Sequence, residues 1–505
     1  MDFQFSPDRN CWQTARADRF ALIVDGNDYF GALRHALSAA REMAVMIGWD
    51  FDFELEMLPG ESDADGNAPD GLPNAVGPFL EALVERRPNL DIYLLKWSGG
   101  ALIAPGRLLP ALRTWILSPE NIHLAFDGRH PIGACHHQKI VVIDDALAFC
   151  GGIDVTAGRW DTPEHEAGDP RRQLRSGEIA QPWHDMSAVM TGPAAVALGE
   201  LARARWDRAD DGPMNETARG ADADALWPPG VTPDFEGGEV AIARTQPPEH
   251  DTPIVTEIEQ LHLDAIRAAE RTIYLESQYF AADGIAAAIA DRLAEPDGPE
   301  VVVINPDAAQ NAVEDAAMHV TRSMLMRKLQ TVDRHGRFRL LYPVNAGGEA
   351  VYVHAKLLIA DDRLLKVGSS NLDRRSMGFD TEADVALLAT TDAERARIAA
   401  IRDERLAELL GRTPDEVAAA GGMIAALEAL NTEGRLRPIE PRDPGVLGAF
   451  LSRTRFFDPR YRRSAEARLG INGRHVMLAL GLAAVAGIVL WRRAGQRQDG
   501  DGDGA

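Results

Sequence analysis

Two short patterns in this chain carry the residue types that phosphate chemistry needs. His137-Gln138-Lys139 is followed by Asp144 five residues after the lysine, and His354-Ala355-Lys356 by Asp361 at the same interval. Residues i and i+2 of a strand project from one face, so each histidine and its lysine can reach the same group, the lysine as a point charge. The negative oxygens of a phosphodiester repel nucleophiles. Cleavage therefore calls for cations around those oxygens, a nucleophile, and an acid for the departing alkoxide. One pattern alone has a nucleophile without an acid, whereas two patterns facing each other supply the full set. Lys139 and Lys356 are the candidate phosphate holders, and Ser369 and Asn371, on the turn after the second pattern, can donate further hydrogen bonds. Asp144 and Asp361 fall on the opposite face of their strands. Two readings stay open for them, membership of the catalytic set or a bond to loop backbone.

The two patterns belong to a longer repeat. A four-residue apolar run follows each lysine, then a pair of acids, a second short strand and a turn of small residues. That turn is Gly151-Gly152-Ile153-Asp154 in one copy and Gly368-Ser369-Ser370-Asn371 in the other, at identical offsets from the histidine. Upstream, Ala36-Leu37-Ser38-Ala39-Ala40 runs into residues 45–51, and Ala265-Ile266-Arg267-Ala268-Ala269 runs into residues 274–280. A single ancestral unit used twice accounts for both matches. Asp154 occupies the place of Asn371, and since an acid facing a phosphate is unfavourable, it is expected to bond backbone or a lysine.

The elements that must position these residues alternate. Helical spacing over 28–41 precedes or accompanies apolar strands at 43–47, 90–95, 122–126 and 140–143. A helix near 254–269 and strands at 273–275, 301–304, 337–341 and 357–359 repeat the scheme. This alternation predicts an α/β fold. The chain divides into a first half (1–215), a linker rich in Asp, Gly, Pro and Ala (216–240), a second half (241–390) and a C-terminal helical region (391–475). Pro438, Pro441 and Pro444 break the last of these, and an apolar run at 476–491 follows.

With 505 residues the chain can hold two or three globular domains. The balance of 53 Lys+Arg against 77 Asp+Glu gives a net charge of −24, which repels a nucleic-acid backbone, so no nucleic-acid partner is expected. Cys11, Cys135 and Cys150 form neither a disulfide framework nor a zinc spacing. Cys135, His136 and His137 are adjacent, and adjacent strand residues point to opposite faces, so no metal is expected there. The beginning of the chain lacks the apolar core of a signal peptide. The run at 476–491, flanked by Arg474 and His475 and by Arg492 and Arg493, would span roughly 24 Å as a helix, somewhat short of a ~30 Å hydrocarbon core. It reads as a single membrane anchor, with the arginines before it favouring a cytoplasmic body.

The paired pattern His-x-Lys-x4-Asp resembles the mark of the phospholipase D superfamily. HHQKIVVIDDALAFCGGIDVTAGRWDTPEH, PWHD at 182–185, IYLESQYF at 273–280 and GSSNLDRRSM at 368–377 are similar to its eukaryotic-type branch. The resemblance covers most of residues 11–390. It implies two pseudo-symmetric α/β/α domains with the active site at their interface, plus C-terminal helices. It also implies metal-independent, cofactor-free hydrolysis of glycerophospholipids to phosphatidic acid and head group through a phosphohistidine, with transfer to alcohols possible. A cardiolipin synthase-like phosphatidyltransferase is the alternative, and a nuclease a more distant one. By similarity His137 is the nucleophile and His354 the general acid, an order that the near-symmetric residues cannot themselves fix. A carboxylate on the other ring nitrogen of each histidine is also implied, and Asp185 and Glu382 hold the equivalent places in the two halves. The implied partners are a phospholipid membrane and a water or alcohol acceptor, with the protein a monomer. Relatives exported as effectors without a classical signal peptide keep secretion open as an alternative location.

Overall fold

The computed structural model describes residues 3–99, 119–209, 212–214, 222–248, 253–309, 312–442 and 458–460. Among these, seven strands of one sheet match seven of another in order and direction. In the first sheet the order is Arg19–Val24, Met186–Thr191, Leu147–Gly151, Ile140–Ile143, Met43–Gly48, Asp91–Trp97, Ile122–Asp127. The second runs Glu239–Gln246, Glu382–Leu388, Leu364–Gly368, Leu357–Ala360, Thr272–Glu276, Glu300–Ile304, Phe338–Pro343. In both, the first five pair antiparallel and the last three parallel. The repeat inferred from the sequence is therefore a repeat of whole mixed sheets.

Both faces of these sheets are covered, which is why their strands read as unbroken apolar runs rather than alternating ones. Met43, Val45, Ile47, Ile140 and Val142 point into a central core that also holds Tyr274, Val302, Leu357 and Ile359 of the second sheet. Ala44, Met46, Val141 and Ile143 face outward beneath the helices Asp25–Ala39 and Val76–Arg86. Leu275, Val301 and Leu358 do the same beneath Glu257–Ala268 and Asp283–Ala294. The central core is shared between the halves, so their mutual orientation is fixed by burial.

The halves also exchange edge strands. Gln13–Arg16, from the segment expected in the first half, pairs with Glu239–Gln246 of the second sheet. Phe235–Glu236, inside the expected linker, pairs with Arg19–Val24 of the first sheet. Each exchange covers a row of backbone groups that an open edge would expose.

The C-terminal region is helical through Asp392–Leu410, Pro414–Ala419 and Met423–Leu430, the first two opened by capping boxes at Thr391 with Glu394 and Thr413 with Glu416. It then departs from the helical expectation, because Leu436–Pro438 adds an antiparallel strand to Phe338–Pro343. Proline, lacking an N–H, is tolerated on such an edge. The expected anchor at 476–491 lies outside the described residues, and none of the described helices is long and apolar enough to cross a membrane.

Asp144 and Asp361 each tie the end of their own motif strand to the helix-to-strand bend upstream in the same half. The Asp144 carboxylate accepts from the backbone N–H groups of Arg41, Glu42 and Met43 at 2.8–2.9 Å. Asp361 accepts in the same way from Glu270, Arg271 and Thr272. Each clamps the bend between a helix and the strand that follows it, at the far end of its own strand from the lysine. Both lead a left-handed Asp-Asp turn, at φ 51° for Asp144 and 53° for Asp361, a conformation that a short polar side chain tolerates. Of the two readings left open for these aspartates, their carboxylate contacts are those of the second, with loop backbone. Asp144→Ala should lower unfolding free energy by roughly 2–4 kcal/mol, through three amides left without an acceptor. Urea unfolding checks this, and anion binding per folded molecule at the histidine site should be unchanged.

Candidate active site

The segments that carry the two histidines cross from one half to the other. Before the first histidine the chain bonds to the second half, with Thr381 N donating to Cys135 O and His137 N donating to Thr381 O, each at 3.0 Å. The second copy mirrors this. Tyr352–Val353 pairs in parallel with Trp183–His184, and His354 N donates to His184 O at 2.7 Å. Each histidine therefore lies against the other half's sheet.

The carboxylates follow the same exchange. His137 Nδ1 donates to Glu382, 2.9 Å from Oε2, and His354 Nδ1 donates to Asp185 Oδ2 at 2.7 Å. Fixing a proton on each Nδ1 leaves each Nε2 as the ring atom that faces the site. Glu382 is held by two hydroxyls, Ser369 Oγ at 2.5 Å and Ser376 Oγ at 2.6 Å, and Asp185 Oδ1 accepts from Met186 N at 2.8 Å. Ser369, expected at the phosphate, thus directs its hydroxyl to Glu382 instead. Burial pushes Glu382 up to about 8, with the two serine hydroxyls pulling it back. Its hydrogen-bond partners, two hydroxyls and the His137 ring, can all donate to a carboxylate.

Lys139 and Lys356 are both buried and both curl back onto the carbonyl of their own motif, Lys139 Nζ at 3.0 Å from His137 O and Lys356 Nζ against His354 O. Asp154 bridges Lys139 Nζ at 3.1 Å and the Trp49 amide at 3.0 Å, both a lysine and backbone. Its counterpart Asn371 reaches the equivalent strand end, with Nδ2 3.4 Å from Gln278 Oε1 and its own Oδ1 unpartnered among the described residues. Gly152 must be glycine, because a Cβ there would come within 2.2 Å of Asp185 Oδ1 and 3.2 Å of Lys356 Cδ.

Several residues of this site were not singled out from sequence. The Trp183 ring stacks on Tyr352 at 4.7 Å and its centroid is 5.0 Å from that of the His354 ring, while the Arg159 guanidinium sits 3.9 Å from the Trp183 centroid. These contacts join three separated segments. Among the described residues of the site, Lys139, Lys356 and Arg159 supply the cations, and the two histidines add bases that a bound anion can protonate. His137 and His354 are held well below the usual imidazole range, first by burial and then by Lys139 and Lys356. Lys356 is lowered to about 7 by burial. Such a site can hold an oxyanion, and an anion would relieve the repulsion that keeps its bases unprotonated.

Residues 130–219 match the family model "Phospholipase D", and residues 262–400 match "Cardiolipin synthase, PLD-like domain". Phospholipase D1 of Saccharomyces cerevisiae is 24% identical over 73% of this chain and 26% of its own length. Phospholipase D alpha 1 of Nicotiana tabacum is 23% identical over 55% of this chain, which spans about half of that relative. Cardiolipin synthase A of Pseudomonas aeruginosa is 23% identical over 80% of this chain and 70% of its own length. The crystal structure of phosphatidylserine synthase from Haemophilus influenzae shares the fold, with a TM-score of 0.53 over 84% of this chain and 96% of that one, at 12% identity.

Anion binding should be coupled to proton uptake. The depressed histidines are neutral near pH 7 in the free protein, and a bound anion raises their proton affinity. Protons are taken up between the free and bound pKa values, and affinity is lost as pH rises through the bound one. Titration calorimetry with tungstate, in buffers of different ionisation enthalpy, should show uptake of about one proton and up to tenfold weaker binding per pH unit above neutrality. Affinity independent of pH would mean that a bound anion does not raise the proton affinity of these histidines.

Proposed function

Since the chain belongs to the phospholipase D superfamily, we propose that it cleaves the head-group ester of a glycerophospholipid through a phosphohistidine. The observation that carries this reading is the crossed exchange of carboxylates, which orients two histidines from opposite halves toward one cationic site. His137 Nε2 attacks phosphorus, and the bond to the head-group oxygen breaks as His354 Nε2–H protonates it. His354, now neutral, takes a proton from water or an alcohol, whose oxygen attacks phosphorus and displaces His137. Water yields phosphatidic acid and an alcohol yields its phosphatidyl ester. Similarity assigns the order of the two histidines. Lys139, Lys356 and Asn371 are proposed to hold phosphate oxygens. The substrate's negative charge also serves the acid step, because it raises the proton affinity of a His354 that burial otherwise keeps neutral.

A second reading has specific support: the cardiolipin synthase relative is matched over more of its own length than the phospholipase D relatives are. In that case the accepting hydroxyl belongs to a glycerol unit of a second lipid. Both readings place the protein at a phospholipid surface, where the apolar run at 476–491 would hold it.

Mass spectrometry of products from mixed phospholipid vesicles, in buffer containing a primary alcohol, tests and separates these readings. Phosphatidic acid and the phosphatidyl alcohol are expected from the lipase, and cardiolipin in excess from the synthase. His137→Ala and His354→Ala should each lower turnover by roughly 10³ or more. Activity within about tenfold of wild type in either variant would remove the paired-histidine mechanism.

A further inference from the structure

A second cluster of donors lies behind Asp185, on the other side of the strand from His354. Asp25 opens the helix Asp25–Ala39, His165 lies in a loop, His184 ends the strand Trp183–His184, and Glu408 sits in the last turn of Asp392–Leu410. One ligand atom from each lies within 4.8 Å of all the others. His184 Nδ1 is 3.2 Å from Asp25 Oδ1 and 3.3 Å from Glu408 Oε1, and His165 Nε2 is 3.8 Å from Asp25 Oδ2 and 3.8 Å from Glu408 Oε1. Tetrahedral Zn²⁺ with bonds of about 2.0–2.1 Å spaces its donors by about 3.3–3.4 Å.

The surroundings prepare these atoms as ligands. His165 Nδ1 is bonded to Asp161 Oδ2 at 3.0 Å and His184 Nε2 to Glu276 Oε2 at 2.8 Å. Each imidazole is thereby oriented through its far nitrogen, as carboxylates orient the histidines of metal centres. Asp161 is itself held by Arg172 at 2.9 Å and the Trp183 amide at 2.8 Å, and Glu276 by the Tyr274 hydroxyl at 2.7 Å. Asp25 Oδ2, His165 Nε2, His184 Nδ1 and Glu408 Oε1 are all buried and without a hydrogen-bond partner among the described residues. Asp25 and His184 are 0% exposed and His165 3%. Four buried polar atoms that meet at ion-pair distances without forming hydrogen bonds are costly unless a cation, an imidazolium or a metal ion, joins them.

We propose that Asp25, His165, His184 and Glu408 bind one Zn²⁺ ion that fastens the first half to the C-terminal helix. Two imidazoles and two carboxylates suit zinc, and four protein donors leave no open position, so the ion is structural. The sequence led to an expectation of no metal, with Cys135, His136 and His137 the group considered there, and the proposed ion departs from that expectation. The new donors come from four distant segments and left no spacing to read.

The test is the metal content of the full chain, purified without an affinity tag that binds metals. Elemental analysis should find about one zinc per wild-type chain. His165→Ala and Glu408→Gln should each retain less than about a tenth of that, the second keeping the shape of the side chain should the first fail to fold. Stripping wild type with a chelator should lower its Tm, and Zn²⁺ alone should restore it. Wild type that is isolated without metal, and whose Tm ignores added Zn²⁺, would overturn the site in favour of a metal-free imidazolium cluster. Full zinc in both variants would overturn it equally.

Discussion

The exchange of histidine–carboxylate pairs between the halves is the constraint on which the rest of the structure depends. An imidazole that must present a bare or protonated Nε2 needs its Nδ1 proton fixed, and here the fixing group always belongs to the other half. Breaking the halves apart would remove the imidazole from each of Glu382 and Asp185 and leave only the partners of their own half. The shared apolar core, the exchanged edge strands and the paired segments at Trp183–His184 and Tyr352–Val353 all hold one relative orientation. Charge chemistry and hydrophobic burial thus impose the same geometry.

This exchange also sets what was legible in the sequence. Residues 43–47, 140–143 and 357–359 read as strands because a doubly covered sheet leaves continuous apolar runs, and the observed elements differ from them by at most a residue at an end. The His-x-Lys patterns and the repeated small-residue turns were equally plain. Which carboxylate serves which histidine was not, since His137 and Glu382 are 245 positions apart and His354 and Asp185 169. Ser369 looked like a phosphate donor because it sits on the right turn, yet a buried carboxylate competes for its hydroxyl and wins. The edge strands Gln13–Arg16 and Phe235–Glu236 are too short and too partly buried to show a pattern.

Glycine and aspartate mark where the repeat tolerates no compromise. Gly151 and Gly368 occupy equivalent turns, and a Cβ at either would meet the neighbouring strand's backbone, Ser187 Cα at 2.4 Å or Asp384 Cα at 2.5 Å. The close approach brings the turn down onto the strand that begins beside each orienting carboxylate. Asp144 and Asp361 act at the opposite end, tying hairpin to helix. The motif's aspartate and its histidine therefore serve separate ends of one strand, the first holding the frame and the second working in it.

Strand alternation lets one three-residue segment do unrelated work on its two sides. Asp185 turns toward His354, and so does the Trp183 ring, while His184 between them turns away into the cluster with Asp25 and Glu408. Asp25 closes the loop: its amide donates to Asp185 O at 2.8 Å and its Oδ1 accepts from Asp185 N at 3.1 Å. It holds φ at 61°, the left-handed conformation that Asp144 and Asp361 also adopt. The backbone of the carboxylate that orients His354 is thus gripped by a residue of the buried donor cluster. Two hydrogen bonds therefore join the cluster to the backbone of the residue that orients His354.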